Sequence, residues 1–115
     1  MEKPIIDRAI YEELQETAGA QFVVDLVGTF LEEAPRMLAE LRKACLNGDA
    51  EGFRRAAHSL KSNGNTFGAL EFAALARELE LRGLDGDATQ DTSKLSALES
   101  EYLRAAAALK ALCNA

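Results

Sequence analysis

Over the last third of this chain the apolar residues fall at Leu95, Leu98, Tyr102, Ala105, Leu109 and Leu112, a steady three-and-four spacing that an α-helix gathers onto one face. The same period runs upstream through Phe22, Leu26 and Phe30, supported by Val23 and Val27 and continued by Leu38, Leu41 and Cys45. Residue types agree with it. Ala, Leu, Glu, Arg and Lys dominate, Val and Ile are few, and there are two prolines and no tryptophan. Stripes of this kind are buried by packing helix on helix, so the pattern predicts an all-α fold.

The pattern divides into five helices. The first runs from about Asp7, which can cap it, to Thr17, with Ile6, Ile10 and Leu14 as its stripe and Ala18-Gly19-Ala20 as its end. The second starts near Gln21. Pro35 removes one of its backbone hydrogen bonds and should kink it or divide it in two, and Asn47-Gly48 suits a left-handed cap. The third begins at Asp49, with Glu51 against the positive helix end, and fades near Asn65. The fourth covers Ala69 to Arg82, with Phe72, Leu75, Ala76 and Leu79 inward. Gly83 to Asp91 reads as a polar loop, and the fifth helix runs from about Ser93 to Leu112. Short loops then predict an antiparallel four-helix bundle of helices two to five, with the additional N-terminal helix across one end. No repeat or composition break is visible, so residues 1–115 read as a single domain of ordinary size, able to bury a core without staples.

Composition narrows the partners. The formal net charge is -6 and the pI is near 4.8, which disfavours nucleic acid and anionic lipid as ligands. No apolar run approaches the roughly 18 to 20 residues of a membrane span. Met1-Glu2-Lys3-Pro4 has no apolar signal core, so the expected location is the cytoplasm. Cys45 and Cys113 lack CxxC spacing and read as two reduced, partly buried thiols.

One residue stands apart. His58 is the single histidine, and imidazole is the side chain that titrates near neutral pH. On the third helix Phe53, Ala57, Leu60, Gly64 and Phe67 share the apolar face, and His58 lies about 200° from Leu60 by helical phase. Its stripe partners are Arg54, Lys61, Ser62 and Asn65, all polar. Arg54, Arg55, His58 and Lys61 form a locally basic stripe on an acidic protein, which suits an anion or an anionic partner surface. Lys61, one turn away, is placed to reach a group attached to the ring. Gly64 falls on the inward face, where a missing side chain lets two helices approach. Gly68 either caps the helix, keeps the surface beside His58 low, or does both.

The run Ala57-His58-Ser59-Leu60-Lys61-Ser62, followed by Gly68-Ala69, resembles the signature of histidine phosphotransfer (Hpt) domains of two-component phosphorelays. Phe30-Leu31-Glu32-Glu33, Asn47-Gly48-Asp49 and the stretch from Leu75 to Glu80 are similar to that family as well, so the likeness spans nearly the whole chain. It implies a phosphocarrier without its own kinase or ATP-binding domain, with His58 as the phosphorylated residue. Lys61 would offset phosphoryl charge, while Ser62, where the family often has Gly, and Gly68 would leave room for a docking receiver. Arg54, on the basic stripe, and Asn65, at the rim by its stripe position, are expected to join Ser62 and Gly68 in receiver docking. Several members carry Gln or Glu 22 residues after the His, bonded to the other ring nitrogen. Here that residue is Glu80, which is either the ring's orienting partner or a solvated glutamate beside Glu78. Arg77 is likewise either part of the phosphate environment or a surface cation. The implied partners are a response-regulator receiver domain, a hybrid sensor histidine kinase, or both. The divalent metal belongs on the receiver, and the chain itself, a monomer, needs no cofactor.

Three alternatives stand beside this. A sensor-kinase dimerisation helix pair usually has an acidic residue directly after the His, where this chain has Ser59. A bundle metalloprotein needs Glu-x-x-His pairs, and position 55 is Arg55. A non-catalytic helical adaptor binding a signalling partner fits the fold but leaves His58 and Lys61 without a task.

Overall fold

The computed structural model describes residues 4–84 and 86–114, and only the backbone of Ala88. Five helices follow one another: α1 (Arg8–Ala18), α2 (Ala20–Asn47), α3 (Ala50–Phe67), α4 (Leu70–Arg82) and α5 (Ala88–Cys113). Each of α2 to α5 packs against its neighbour in sequence, and α5 closes back on α2. Neighbours run antiparallel, as paired residues show: Gly64 meets Phe72 and Ala73 while His58 meets Glu80. α1 lies against α2 and α3. The expected bundle is the one observed, and among the described residues no strand occurs.

Aspartate caps fix the starts of α1, α3 and α5. Asp7 accepts from the backbone N–H groups of Ala9 and Ile10, Asp49 from Gly52, and Asp87 from Gln90. The last of these corrects the expected loop, because α5 begins at Ala88 and not near Ser93. Asp91 therefore sits in its first turn, buried and paired with Arg82 at 2.6 Å. Asp85, within the same expected loop, lies outside the described residues.

The core stripe of α2 is Val23, Val27, Phe30, Ala34, Leu38, Leu41 and Ala44. Phe22, expected inside, is 53% exposed, since its neighbour Val23 takes the inward phase. In α1 the buried residue is Tyr11, with Ile10 and Leu14 half-buried, and its hydroxyl lies 3.7 Å from Cys113 Sγ. Phe30 is the hub of the aromatic core, touching Phe67, Phe72 and Tyr102.

Pro35 does not divide α2, which is continuous over 28 residues. A proline at 35 has no N–H for the carbonyl of Leu31, four residues earlier. Tyr102 of α5 supplies the missing donor, its hydroxyl donating to Leu31 O at 3.4 Å. The orphaned acceptor is thus satisfied across the bundle, and α2 continues through the proline without a break.

Ion pairs tie α5 to its neighbours on the outside of the core. Arg42 grips both carboxylate oxygens of Glu99, at 3.1 and 2.6 Å, and Lys94 pairs with Glu78. The bidentate Glu99 contact raises the Arg42 guanidinium above its ordinary value. Both cysteines are free and half-buried.

Candidate functional site

The site is built by packing α3 tightly on α4. A Cβ at Gly64 would stand 2.9 Å from the Phe72 ring and 3.2 Å from the backbone nitrogen of Ala73, so only glycine permits this approach. With that contact set, the antiparallel course of the helices brings Glu80 of α4 level with His58 and Lys61 of α3. The inward face of α3 is buried as expected at Phe53, Ala57, Leu60, Gly64 and Phe67. His58 points the other way, its side chain 57% exposed.

One carboxylate organises the three residues. Glu80 Oε2 lies 2.7 Å from His58 Nδ1, and Glu80 Oε1 lies 2.7 Å from Lys61 Nζ. The Lys61 ammonium first, and His58 second, hold Glu80 below the usual carboxylate range. Glu80 is therefore ionised at neutral pH and can only accept, so the hydrogen in the short contact is carried by His58 Nδ1. The neutral ring then keeps its lone pair on Nε2, the nitrogen on its far side. Of the alternatives the sequence left open for Glu80, the geometry selects the ring's hydrogen-bond partner.

The other expected residues are placed as follows. Arg54, Ser62 and Asn65 are on α3 around His58, Arg54 and Asn65 exposed and Ser62 beside them on the same outer stripe. Arg77 lies on α4, one turn before Glu80, on the stripe of Ala73 and Glu80 that flanks α3. Among the described residues no ion pair is formed by Arg54, Arg55 or Arg77, so three exposed guanidinium groups lie on the two helices that carry the site. Gly68 is the helix cap that the sequence offered as one reading. It is buried and caps α3 with φ +79°, its carbonyl accepts from Asp7 N–H at 2.8 Å, and a Cβ there would lie 2.8 Å from Asp7 O. The clearance it provides is used by the chain's own Asp7 and Ile10, at the start of α1. Lys61, expected free to face a phosphoryl group, is already paired with Glu80.

The constellation can present one nucleophilic nitrogen to a partner, with the opposite ring nitrogen tied down and cations at hand for an anion. Among the described residues no group of three or more His, Cys, Asp or Glu is arranged to hold a metal ion, and no helix is long and apolar enough to cross a membrane.

Comparison with known proteins identifies the family. The Hpt domain family model matches residues 25–114. The crystal structure of histidine-containing phosphotransfer protein B from Pseudomonas aeruginosa PAO1 is similar, with a TM-score of 0.87 and 26% identity over 98% of this chain and 97% of that one. No curated protein matches the chain. A five-helix bundle that carries one outward histidine, and is matched over most of its length by that family model, belongs to the Hpt domain family and is a histidine phosphotransfer protein of phosphorelay signalling.

Proposed function

We propose that His58 is the phosphoryl-carrying residue and that Nε2 is the atom that carries the group. The observation behind this is the Glu80 contact at Nδ1, which leaves the lone pair on Nε2 of a largely exposed ring. Nε2 attacks the phosphorus of an aspartyl phosphate on a receiver domain. The P–N bond forms, the P–O bond to the aspartate breaks, and its electron pair returns to the carboxylate. The ring, still protonated at Nδ1, gains positive charge, which the Glu80 carboxylate stabilises. Passing the group to another receiver aspartate is the reverse of this step. A divalent metal on the receiver would supply the remaining charge neutralisation, and this chain's part is to carry the group on His58.

In this reading Arg54, Ser62 and Asn65 border the docking surface, Lys61 and Arg77 add positive charge near the phosphoryl group, and the unpaired cations steer an acidic receiver pocket toward His58. The partner is a receiver domain, either free or part of a hybrid kinase, and one copy of the chain suffices. A purely non-catalytic adaptor is the weaker reading, because it has no use for a ring clamped at Nδ1.

The test is phosphotransfer from a labelled receiver. The expected result is acid-labile, base-stable label on the chain that disappears in His58→Gln. Label that persists in that variant overturns the assignment.

A further inference from the structure

The two longest helices, α2 and α5, lie side by side. His58 faces the α3–α4 side of the bundle, where Glu80 meets it, and the α2–α5 side is opposite. The seam between α2 and α5 is set by the Arg42–Glu99 pair, by Tyr102 at Leu31, and by a cleft where Val24, Gly28 and Leu31 meet Lys110 and Cys113. By helical phase, Val24, Gly28, Ala39 and Leu46 of α2 point outward along this seam, and so do Ser96, Leu103 and Ala107 of α5. Leu46 is 76% exposed, Leu103 68% and Val24 38%. Gly28 is exposed too, and a Cβ there would meet nothing within 4 Å, so no contact inside the chain requires glycine. Glycine weakens a helix interior but lets another backbone approach closely.

In a chain with 28% charged residues, this face carries few charges. Arg42 and Glu99 neutralise each other at 2.6 Å, which leaves one cation, Lys110, and one anion, Glu32, with Asp25 and Lys43 on the outer ridge of α2. Interface cores are depleted of charge in the same way. At 1.5 Å per residue the face from Val24 to Leu46 is about 33 Å long, and two helices packed about 9 Å apart make it roughly 18 Å wide. Covering it would bury about 600 Å² on each side, about 1,200 Å² in all, which reaches the lower limit of a specific interface.

We infer that the α2–α5 face pairs with the same face of a second copy of this chain, about a twofold axis parallel to the helices. In that arrangement α2 of each copy lies on α5 of the other at an unchanged level. Lys110 stands level with Leu31 in the shared cleft, so it is set opposite Glu32 of the partner subunit, and the symmetry makes the contact twice. Within one chain Lys110 and Glu32 form no ion pair. Both His58 side chains stay on the outside, so pairing leaves them open. The inference goes beyond the carrier reading and does not depend on it.

Sedimentation velocity on the full chain, from about 1 µM to about 1 mM, reads the pairing directly. The mass should rise with concentration from 12.4 kDa toward twice that value, with a dissociation constant in the micromolar range. Gly28→Arg adds bulk to the face and meets nothing inside the chain. It should stay folded in thermal melts and weaken pairing by about tenfold or more. Lys110→Glu and Glu32→Lys should each weaken pairing by about fivefold, and the double exchange should restore it to within about twofold of the parent. A chain that stays at 12.4 kDa throughout, pairing that Gly28→Arg leaves unchanged, or a double exchange no tighter than the single variants overturns the inference. A monomer that loses phosphoryl transfer on Gly28→Arg would assign the face to the receiver and overturn it too.

Discussion

The two faces of α3 answer to different physical demands. The inner face, Phe53, Ala57, Leu60, Gly64 and Phe67, is sealed against α2 and α4 and closed to change. The outer face, Arg54, His58, Ser62 and Asn65, makes few contacts beyond the Glu80 clamp. One helix thus separates stability from chemistry by roughly half a turn. Substitutions on the outer face should change the chemistry and leave folding intact, and those on the inner face should do the reverse, except at Gly64, which also sets how closely α4 and its Glu80 approach the ring.

The sharpest way to break this comparison is to exchange the effects. Leu60→Ala removes a fully buried side chain and should cost about 2–5 kcal/mol in urea unfolding, while the protein that remains folded still accepts phosphoryl label. His58→Gln should abolish that label and move stability by no more than about 0.5 kcal/mol, as surface changes do. If His58→Gln unfolds the chain, the outer face is also structural and the division fails.

The next effect concerns how closely α3 and α4 approach. Gly64→Ala gains up to about 1 kcal/mol of helix propensity, but the new methyl meets the Phe72 ring and the Ala73 backbone, and overpacking costs about 1–3 kcal/mol. Net destabilisation is expected, with weakened coupling between His58 and Glu80 seen in the imidazole ¹⁵N shifts. A stabilised Gly64→Ala would mean that the helices can part without cost.

Tyr102→Phe should cost about 1–2 kcal/mol, because the Leu31 carbonyl loses the donor that Pro35 cannot provide. The same change in a Pro35→Ala background should cost less, since an alanine at that position restores the helical N–H. Equal costs in both backgrounds would dissociate Tyr102 from the proline.

Much of this molecule is readable as a sequence, and the misses share a cause. Periodicity along the chain gives each helix its stripe, and it places Leu95 through Leu109 and the inner face of α3 correctly. It does not fix the phase between adjacent apolar residues, which is why the pattern puts Phe22 inside along with Val23. Nor does it say which of several aspartates caps a helix, so it starts α5 five residues late, near Ser93 and not at Ala88. His58 is legible from phase and the family likeness. The sharing of Glu80 by His58 and Lys61 is not, because the rotation of α4 about its axis relative to α3 is a property of packing. Gly68 escapes for the same reason. Its neighbour in space is Asp7, 61 positions away in the chain, and no local pattern announces that contact.

The smallest effect tests the outer clamp through pH. Glu80 is held below the ordinary carboxylate range in the folded protein, so its contribution to stability is present above that range and is lost as pH falls through the folded value. Relative to Glu80→Gln, the parent chain should keep a constant small advantage near neutrality and lose it on acidification below about pH 4–5, as read from urea midpoints. An advantage that does not change with pH would place Glu80 outside the pair.

The central claim is that α3 presents Nε2 of His58 while Glu80 occupies Nδ1. The most direct measurement is ³¹P–¹⁵N correlation on the phosphorylated, ¹⁵N-labelled protein. The expected spectrum shows one phosphorus coupled to Nε2 of the single histidine. A phosphorus coupled to Nδ1, or to no imidazole nitrogen, would contradict it.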